Sequence, residues 1–406
     1  MIVGRCGTGL VAALGMVVAS VVAGAADVTV PWGTIESAGA ELGRHVFRVK
    51  DLPADGSLVV PAGFPQIVRA TLIEPDGASA AAGGPVDVPI EISPDASRIA
   101  LVVPSREATA VAPVIAVETA DVTTQFPDGR IVFAAPDATV VGDRAKLETH
   151  PGNARIGYWS NPADRVEWNR TATRWGAYEA VLTYSTASRD GTEIEVEVAG
   201  VKLPATLPST GSWYRYRTLP LGRVVLPAAG PQPVVVRCTK SVGGAVMNLK
   251  AVSLLPACEG TPPTQAEDGT ILLHGRDATV LGTTLRWEPA EKKQTLGFWT
   301  RATDRARWTF TVRQPGSFDV EVLQGCGTGQ GGSTMTITCD GDRAEPPPGI
   351  VFTVEETGHF QNFQPRVVGR VDLAPAGTHT LVVGPEKIAK GAACDIRQIR
   401  LVPVQR

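Results

Sequence analysis

The chain has 406 residues, too many for one ordinary hydrophobic core, so two or three domains are expected. Charged residues make up 19%, and 38 Lys and Arg nearly balance 41 Asp and Glu at a net charge of -3; without a long basic stretch, a nucleic-acid partner is not expected. An apolar content of 43% argues against disorder, and 43 Gly with 32 Pro but only 4 Met argue against a helical protein.

Residues 1–26 read as a secretory signal peptide. Arg5 is followed by an apolar stretch from Leu10 to Val22, then by Ala23-Gly24-Ala25-Ala26 and polar Asp27. About 13 apolar residues fall short of the ~20 that a membrane span needs, and no later stretch is more apolar. The chain is therefore expected in a secreted or periplasmic location, with no stable membrane span after processing.

Residues 27–123 carry six predicted strands, at 47–50, 57–60, 67–72, 86–92, 98–103 and 114–118. Turns such as Pro53-Ala54-Asp55-Gly56 separate them. That is enough for a small immunoglobulin-like sandwich.

Beyond it the chain repeats itself. Asp128-Gly129-Arg130-Ile131 returns 140 residues later as Asp268-Gly269-Thr270-Ile271. At the same offset, Ile156-Gly157-Tyr158-Trp159 matches Leu296-Gly297-Phe298-Trp299. Asp164-Arg165-Val166-Glu167-Trp168 likewise matches Asp304-Arg305-Ala306-Arg307-Trp308. The offset then grows to 147, where Thr210-Gly211-Ser212-Trp213 meets Thr357-Gly358-His359-Phe360 and Asn248-Leu249 meets Asp395-Ile396. The seven extra residues are expected in connections near 327–332 and 346–349. Each copy, 128–258 and 268–406, alternates apolar and polar residues with a period of two, as in Ile194, Val196 and Val198. Eight or nine strands per copy predict a jelly roll, with residues 259–267 as the linker. The fold class is all-β: three β-sandwich domains.

Five cysteines follow residue 26: Cys238, Cys258, Cys326, Cys339 and Cys394. An exported chain permits disulfides, and an odd count leaves one thiol over. No C-x-x-C pair supports a zinc or redox motif. Nor does any G-x-S-x-G, H-E-x-x-H or Walker loop occur. The glycine-rich run 325–332 leads into a strand rather than a helix, so it reads as a loop. Glu193, Glu195 and Glu197 alternate on a strand and read as a solvated sheet face. No catalytic residue is assigned.

The two copies share aromatic and polar residues near loops instead. Sugars are recognised by stacking on flat rings, with polar side chains bonding their hydroxyls. Trp168 and Trp308 fall at inward positions and read as core. One residue of each pair Tyr158-Trp159 and Phe298-Trp299 points inward, leaving the other as a candidate platform. Trp213 begins a strand, and its position leaves an exposed and a core reading equally open. Asn248 enters an apolar strand, either to bond loop backbone or to grip a hydroxyl.

In that order the motifs resemble carbohydrate-binding modules of families six and thirty-five, jelly rolls without catalytic activity, here in tandem. The carrying residues are Gly157-Tyr158-Trp159, Arg165-Val166-Glu167-Trp168, Gly176-Ala177-Tyr178, Thr210-Gly211-Ser212-Trp213 and Asn248-Leu249. The second copy is similar to domains appended to secreted sulfatases and fucosidases, through Val322-Leu323-Gln324-Gly325-Cys326-Gly327, Glu356 to Phe363 and Asp395-Ile396-Arg397-Gln398. The resemblance covers about two thirds of the chain. It implicates Trp213 and Asn248 in holding ligand, with Tyr158 as a second platform. The corresponding positions of the second copy are Phe298, Phe360 and Asp395, where Phe360 replaces the tryptophan and Asp395 the asparagine. An ionised aspartate accepts but does not donate, so the second copy departs from the pattern. Many such modules hold a structural calcium through acidic residues of the first strand; Ile131-Val132-Phe133 and Ile271-Leu272-Leu273 offer none, and no cofactor is assigned. The expectation is an exported, non-catalytic protein binding a poly- or oligosaccharide. The alternative is a structural or adhesive envelope protein whose sandwiches pack on other proteins.

Overall fold

The protein is described by a computed structural model covering residues 27–37, 42–73, 86–104, 112–340 and 349–404. The segment read as a signal peptide lies outside the described residues, as do residues 346–348. The chain is all-β, and two single-turn 3-10 segments, Ala135–Asp137 and Gly275–Asp277, sit at equivalent points of the repeat. Among the described residues no helix is long and apolar enough to cross a membrane.

Alternation explains the sheets. Along Thr192–Val198 every second side chain is buried, and along Arg305–Val312 the same pattern puts Ala306, Trp308, Phe310 and Val312 inward. In the first copy, strands Thr139–Val141, Arg165–Ala172, Gly230–Lys240, Thr192–Val198 and Val201–Leu207 form one sheet in that spatial order. In the second, Thr279–Leu281, Arg305–Val312, Gly377–Lys387, Thr334–Cys339 and Ile350–Thr353 follow the same order. The facing sheets also correspond. Lys146–Glu148, Arg155–Gly157, Asn248–Pro256, Gly176–Thr186 and Ser212–Leu226 are matched by Arg286–Glu288, Thr295–Gly297, Asp395–Pro403, Gly316–Gly325 and Gln364–Leu373. Register repeats too: Thr139 faces Glu167 as Thr279 faces Arg307. Each copy encloses its own hydrophobic cluster, with Trp159 and Trp168 in one and Trp299 and Trp308 in the other. The indole N–H of Trp168 donates to Ala134 O at 2.9 Å, and that of Trp308 to His274 O at 2.8 Å.

Between Ile131–Ala134 and Asn248–Pro256 the first copy has eleven strands rather than eight or nine. The surplus lies in three-residue strands such as Thr139–Val141, too short to show a period. Among the described residues, 27–119 carry nine strands, not six, because the hairpin Val28–Val30 with Gly33–Ser37 joins the sheet and the predicted strand 86–92 divides into Val86–Asp87 and Ile90–Ile92. Their second sheet, Ser57–Val59, Ile90–Ile92 and Ile99–Val102, does not end at the domain edge. Ile90 pairs with Tyr216 and Glu91 with Arg215, giving a ten-stranded sheet that runs into the first copy. A small apolar cluster of Val68, Ala120, Phe126, Val132, Ala134 and Ala251 seals the same junction.

The expected linker is not a loose tether. Glu259 and Gly260 donate to Arg276 O, Thr264 bridges to Thr311, and buried Gln265 accepts from the N–H groups of Arg313 and Gln314. Glu193, Glu195 and Glu197 are engaged in cross-strand ion pairs with Lys240, Lys202 and Arg237.

Candidate functional site

In the first copy the site is built on the hairpin Lys146–Glu148 with Arg155–Gly157. Ile156 pairs with Leu249, which brings the hairpin beside the start of strand Asn248–Pro256. Arg155 forks onto the Glu148 carboxylate with bonds of 3.2 and 2.9 Å. A β-carbon at Gly157 would lie 1.8 Å from Glu148 Oε1 and 3.1 Å from Asn248 Oδ1. Only glycine therefore lets these two oxygens converge.

Asn248 also ties in the aromatic loop, its Nδ2 donating to Trp213 O at 2.9 Å while Ser185 Oγ donates to the same carbonyl at 2.8 Å. The amide thus does bond loop backbone, and its oxygen lies over Gly157. Trp213 is half-buried, between the two readings of its position. Tyr214 follows it, with the Arg155 guanidinium 6.0 Å from its ring centroid.

Thr210 and Gly211 explain how this loop is set. Thr210 Oγ1 accepts from Thr186 N and lies 2.9 Å from Thr186 O, while Gly211 takes a φ of 76°. In the second copy Thr357 Oγ1 accepts from Cys326 N, and Gly358 has a φ of 88°.

Tyr158 has a φ of 53°, a left-handed conformation that a bulky residue rarely adopts. Ser160 N–H closes the turn on Tyr158 O at 2.8 Å. The turn sends Trp159 fully into the core and leaves Tyr158 60% exposed, with the Lys146 ammonium 4.1 Å from its ring centroid. The structure therefore brings Tyr158, Asn248 and the Trp213 loop around Gly157, together with Glu148 and Arg155. Neither charged residue stood out in the sequence, although Glu148 recurs as Glu288 at the 140-residue offset.

The second copy repeats the frame with different chemistry. Phe298 has a φ of 61° and is 42% exposed. Its ring is engaged, because the Arg286 guanidinium lies 3.4 Å from the Phe298 centroid and 4.0 Å from that of Trp175, a residue of the first copy. Trp175 meets Phe298 edge-on at 6.1 Å and donates its indole N–H to Trp287 O at 2.9 Å. Beneath, Glu288 and Asp395 flank Gly297, where a β-carbon would lie 2.4 Å from Glu288 Oε2 and 3.2 Å from Asp395 Oδ1. Lys293 bonds Glu288 at 2.5 Å. Burial, and then the neighbouring Glu288 charge, push the Asp395 carboxyl up to about 7. Near neutrality it therefore holds a proton part of the time and can donate as an asparagine would. Phe360 is half-buried against the glycine run: a β-carbon at Gly327 would meet its ring at 2.9 Å, and one at Gly325 its carbonyl oxygen at 2.0 Å. Among the described residues no group of three or more His, Cys, Asp or Glu is placed to hold a metal ion.

No family model matches the chain, and no curated protein does. Solved structures similar to it include a family 35 carbohydrate-binding module from Clostridium thermocellum, at 21% identity and a TM-score of 0.27 over 31% of this chain and 96% of that one. A Paenibacillus xanthan lyase aligns at 13% identity and a TM-score of 0.30 over 90% of this chain and 33% of that one. A Podospora anserina GH26-CBM35 β-(1,4)-mannanase aligns at 16% identity and a TM-score of 0.28 over 35% and 30%. The alignments thus span about a third of the length of either enzyme.

Proposed function

We propose that the protein is an exported, non-catalytic carbohydrate-binding protein, and that the first copy holds the sugar. The observation that carries this reading is the turn at Tyr158. It holds a flat ring in solvent beside a polar floor of Glu148, Arg155 and Asn248. The same turn in the second copy holds Phe298 against Trp175 and Arg286, whereas Tyr158 keeps 60% of its surface open for contact with a ligand. Arg155 neutralises Glu148, so the floor suits the hydroxyls of a neutral or weakly charged poly- or oligosaccharide. The second copy is read as a weaker or silent site, since its equivalent ring is engaged by Trp175 and Arg286.

The test is a glycan array followed by titration of the best polysaccharide into wild type, Tyr158→Ala and Trp213→Ala. Tyr158→Ala is expected to bind about tenfold more weakly, the loss of one stacking contact worth about 1.4 kcal/mol, with unchanged melting. Trp213→Ala is expected to bind more weakly as well. Equal affinity of the Tyr158 variant would remove Tyr158 from the site, and release of reducing ends that co-purifies with the protein would overturn the non-catalytic reading.

A further inference from the structure

Strands Gly316–Gly325 and Asp395–Pro403 pair antiparallel, with Gln324 opposite Ile396 and Gly325 opposite Asp395. The paired strands end there, and the next residue on each is a cysteine, Cys326 and Cys394, both free thiols in this structure. Both side chains are buried in one hydrophobic cluster. Cys326 Sγ lies 3.9 Å from the carbonyl oxygen of Ala393, the neighbour of Cys394. Residues directly opposite on antiparallel strands have Cα atoms about 4.5–5.5 Å apart, inside the span of about 4.4–6.8 Å that a disulfide bridges. Other cysteines lack this placement: Cys238 stands opposite Ile194, and Cys339 opposite Leu381 on the other sheet.

We propose that Cys326 and Cys394 are a site of oxidative modification, joined as a cross-strand disulfide when the chain folds against a disulfide donor. One thiolate attacks a sulfur of the donor and expels a donor thiolate. The second cysteine thiolate then attacks the mixed disulfide at the protein sulfur and expels the other donor thiolate. The two cysteines lose two protons and two electrons, and the donor is reduced to two thiols.

The bridge closes a loop of about 70 residues, long enough to remove much freedom from the unfolded chain. It also ties the glycine run to the strand that begins at Asp395. Gly327 is already bridged to Gly358, and Cys326 N–H bonded to Thr357. The floor of the second site and its Phe360 loop are thereby held to one point.

The full chain, reduced and unfolded, is refolded in a mixture of oxidised and reduced glutathione, blocked with an alkylating agent under denaturing conditions and mapped by mass spectrometry. No Lys or Arg lies between Cys326 and Cys339, so trypsin leaves both on one peptide. The variants Cys326→Ser and Cys339→Ser separate them. The expected product is a peptide pair linked through Cys394, about 2 Da lighter than its two thiol forms, lost in C326S and kept in C339S. Dithiothreitol is expected to lower the melting temperature of the oxidised wild type by several degrees. Recovery of wild type with both Cys326 and Cys394 alkylated, or a Cys394 link that persists in C326S, would overturn the proposal.

Discussion

Asp164 and Asp304 recur in the repeat, and each is spent on three consecutive backbone N–H groups. Asp164 accepts from Asp143, Arg144 and Ala145 at 3.1, 2.9 and 2.7 Å. Asp304 accepts from Thr283, Thr284 and Leu285 at 3.2, 2.9 and 2.8 Å. The turn they hold leads directly into the hairpin that carries Lys146 and Glu148 in one copy and Arg286 and Glu288 in the other. Burial opposes the Asp164 charge, but the bonds from Ala145, Arg144, Asp143 and Asn161 outweigh it and lower its pKa. A lowered carboxyl contributes stability that is fully present above its unfolded value near 3.9 and lost as pH falls through the folded value. Asp164→Ala is expected to cost about 3 kcal/mol at pH 7, because it strands buried N–H groups. In the variant, the part of the acid-induced loss that wild type owes to this carboxyl is expected to vanish. Urea unfolding at pH 7 and pH 3 checks both points, and a cost below about 0.5 kcal/mol would put Asp164 among ordinary surface residues.

At the scale of an element, the turn between strands Arg165–Ala172 and Gly176–Thr186 fastens the two copies together. Arg174, almost wholly buried, donates to Gly282 O and Val280 O at 2.9 Å each, and Thr173 Oγ1 donates to Thr283 O at 2.7 Å. Trp175 adds its stack on Arg286 and its edge-on contact with Phe298. The copies should therefore unfold together, and Arg174→Ala, costing about 3 kcal/mol of joint stability, is expected to split one calorimetric transition into two. A single transition at the wild-type temperature in the variant would show that the contact does not couple them. This turn also marks where sequence reading stops. Long strands were legible because one buried face imposes a period of two, and the pairs Tyr158-Trp159 and Phe298-Trp299 showed that one ring of each must face outward. Nothing in either pair distinguishes Tyr158 in solvent from Phe298 against Trp175, because the difference comes from a turn more than a hundred residues away in the chain. Glu148 and Arg155 were silent for a related reason. They come together only when a hairpin of three-residue strands sets the Glu148 carboxylate over Gly157.

For the whole molecule, the ten-stranded sheet makes the amino-terminal sandwich and the first copy one continuous body, and Lys250 lies inside that junction. It is fully buried, its Nζ 4.6 Å from the Tyr216 ring centroid and 3.5 Å from Gly152 O. Burial, and then the Arg155 charge, lower its pKa to about 7. The ordinary value near 10.4 holds in the unfolded chain. Between these two values the unfolded state binds more protons than the folded one, so the stability of this body should rise with pH, by at most about 1.4 kcal/mol per unit. Below pH 7 both states carry the charge and the slope disappears. Lys250→Met keeps the length of the side chain and removes the proton. It is expected to flatten the rise between pH 7 and 10 and to leave stability at pH 7 equal to wild type or higher, since both burial and the neighbouring Arg155 charge oppose the ammonium. Denaturant unfolding of both proteins at pH 7, 8 and 9 measures the difference. An equal slope in the methionine variant would assign the pH dependence to other groups and leave Lys250 charged and hydrated in the native state.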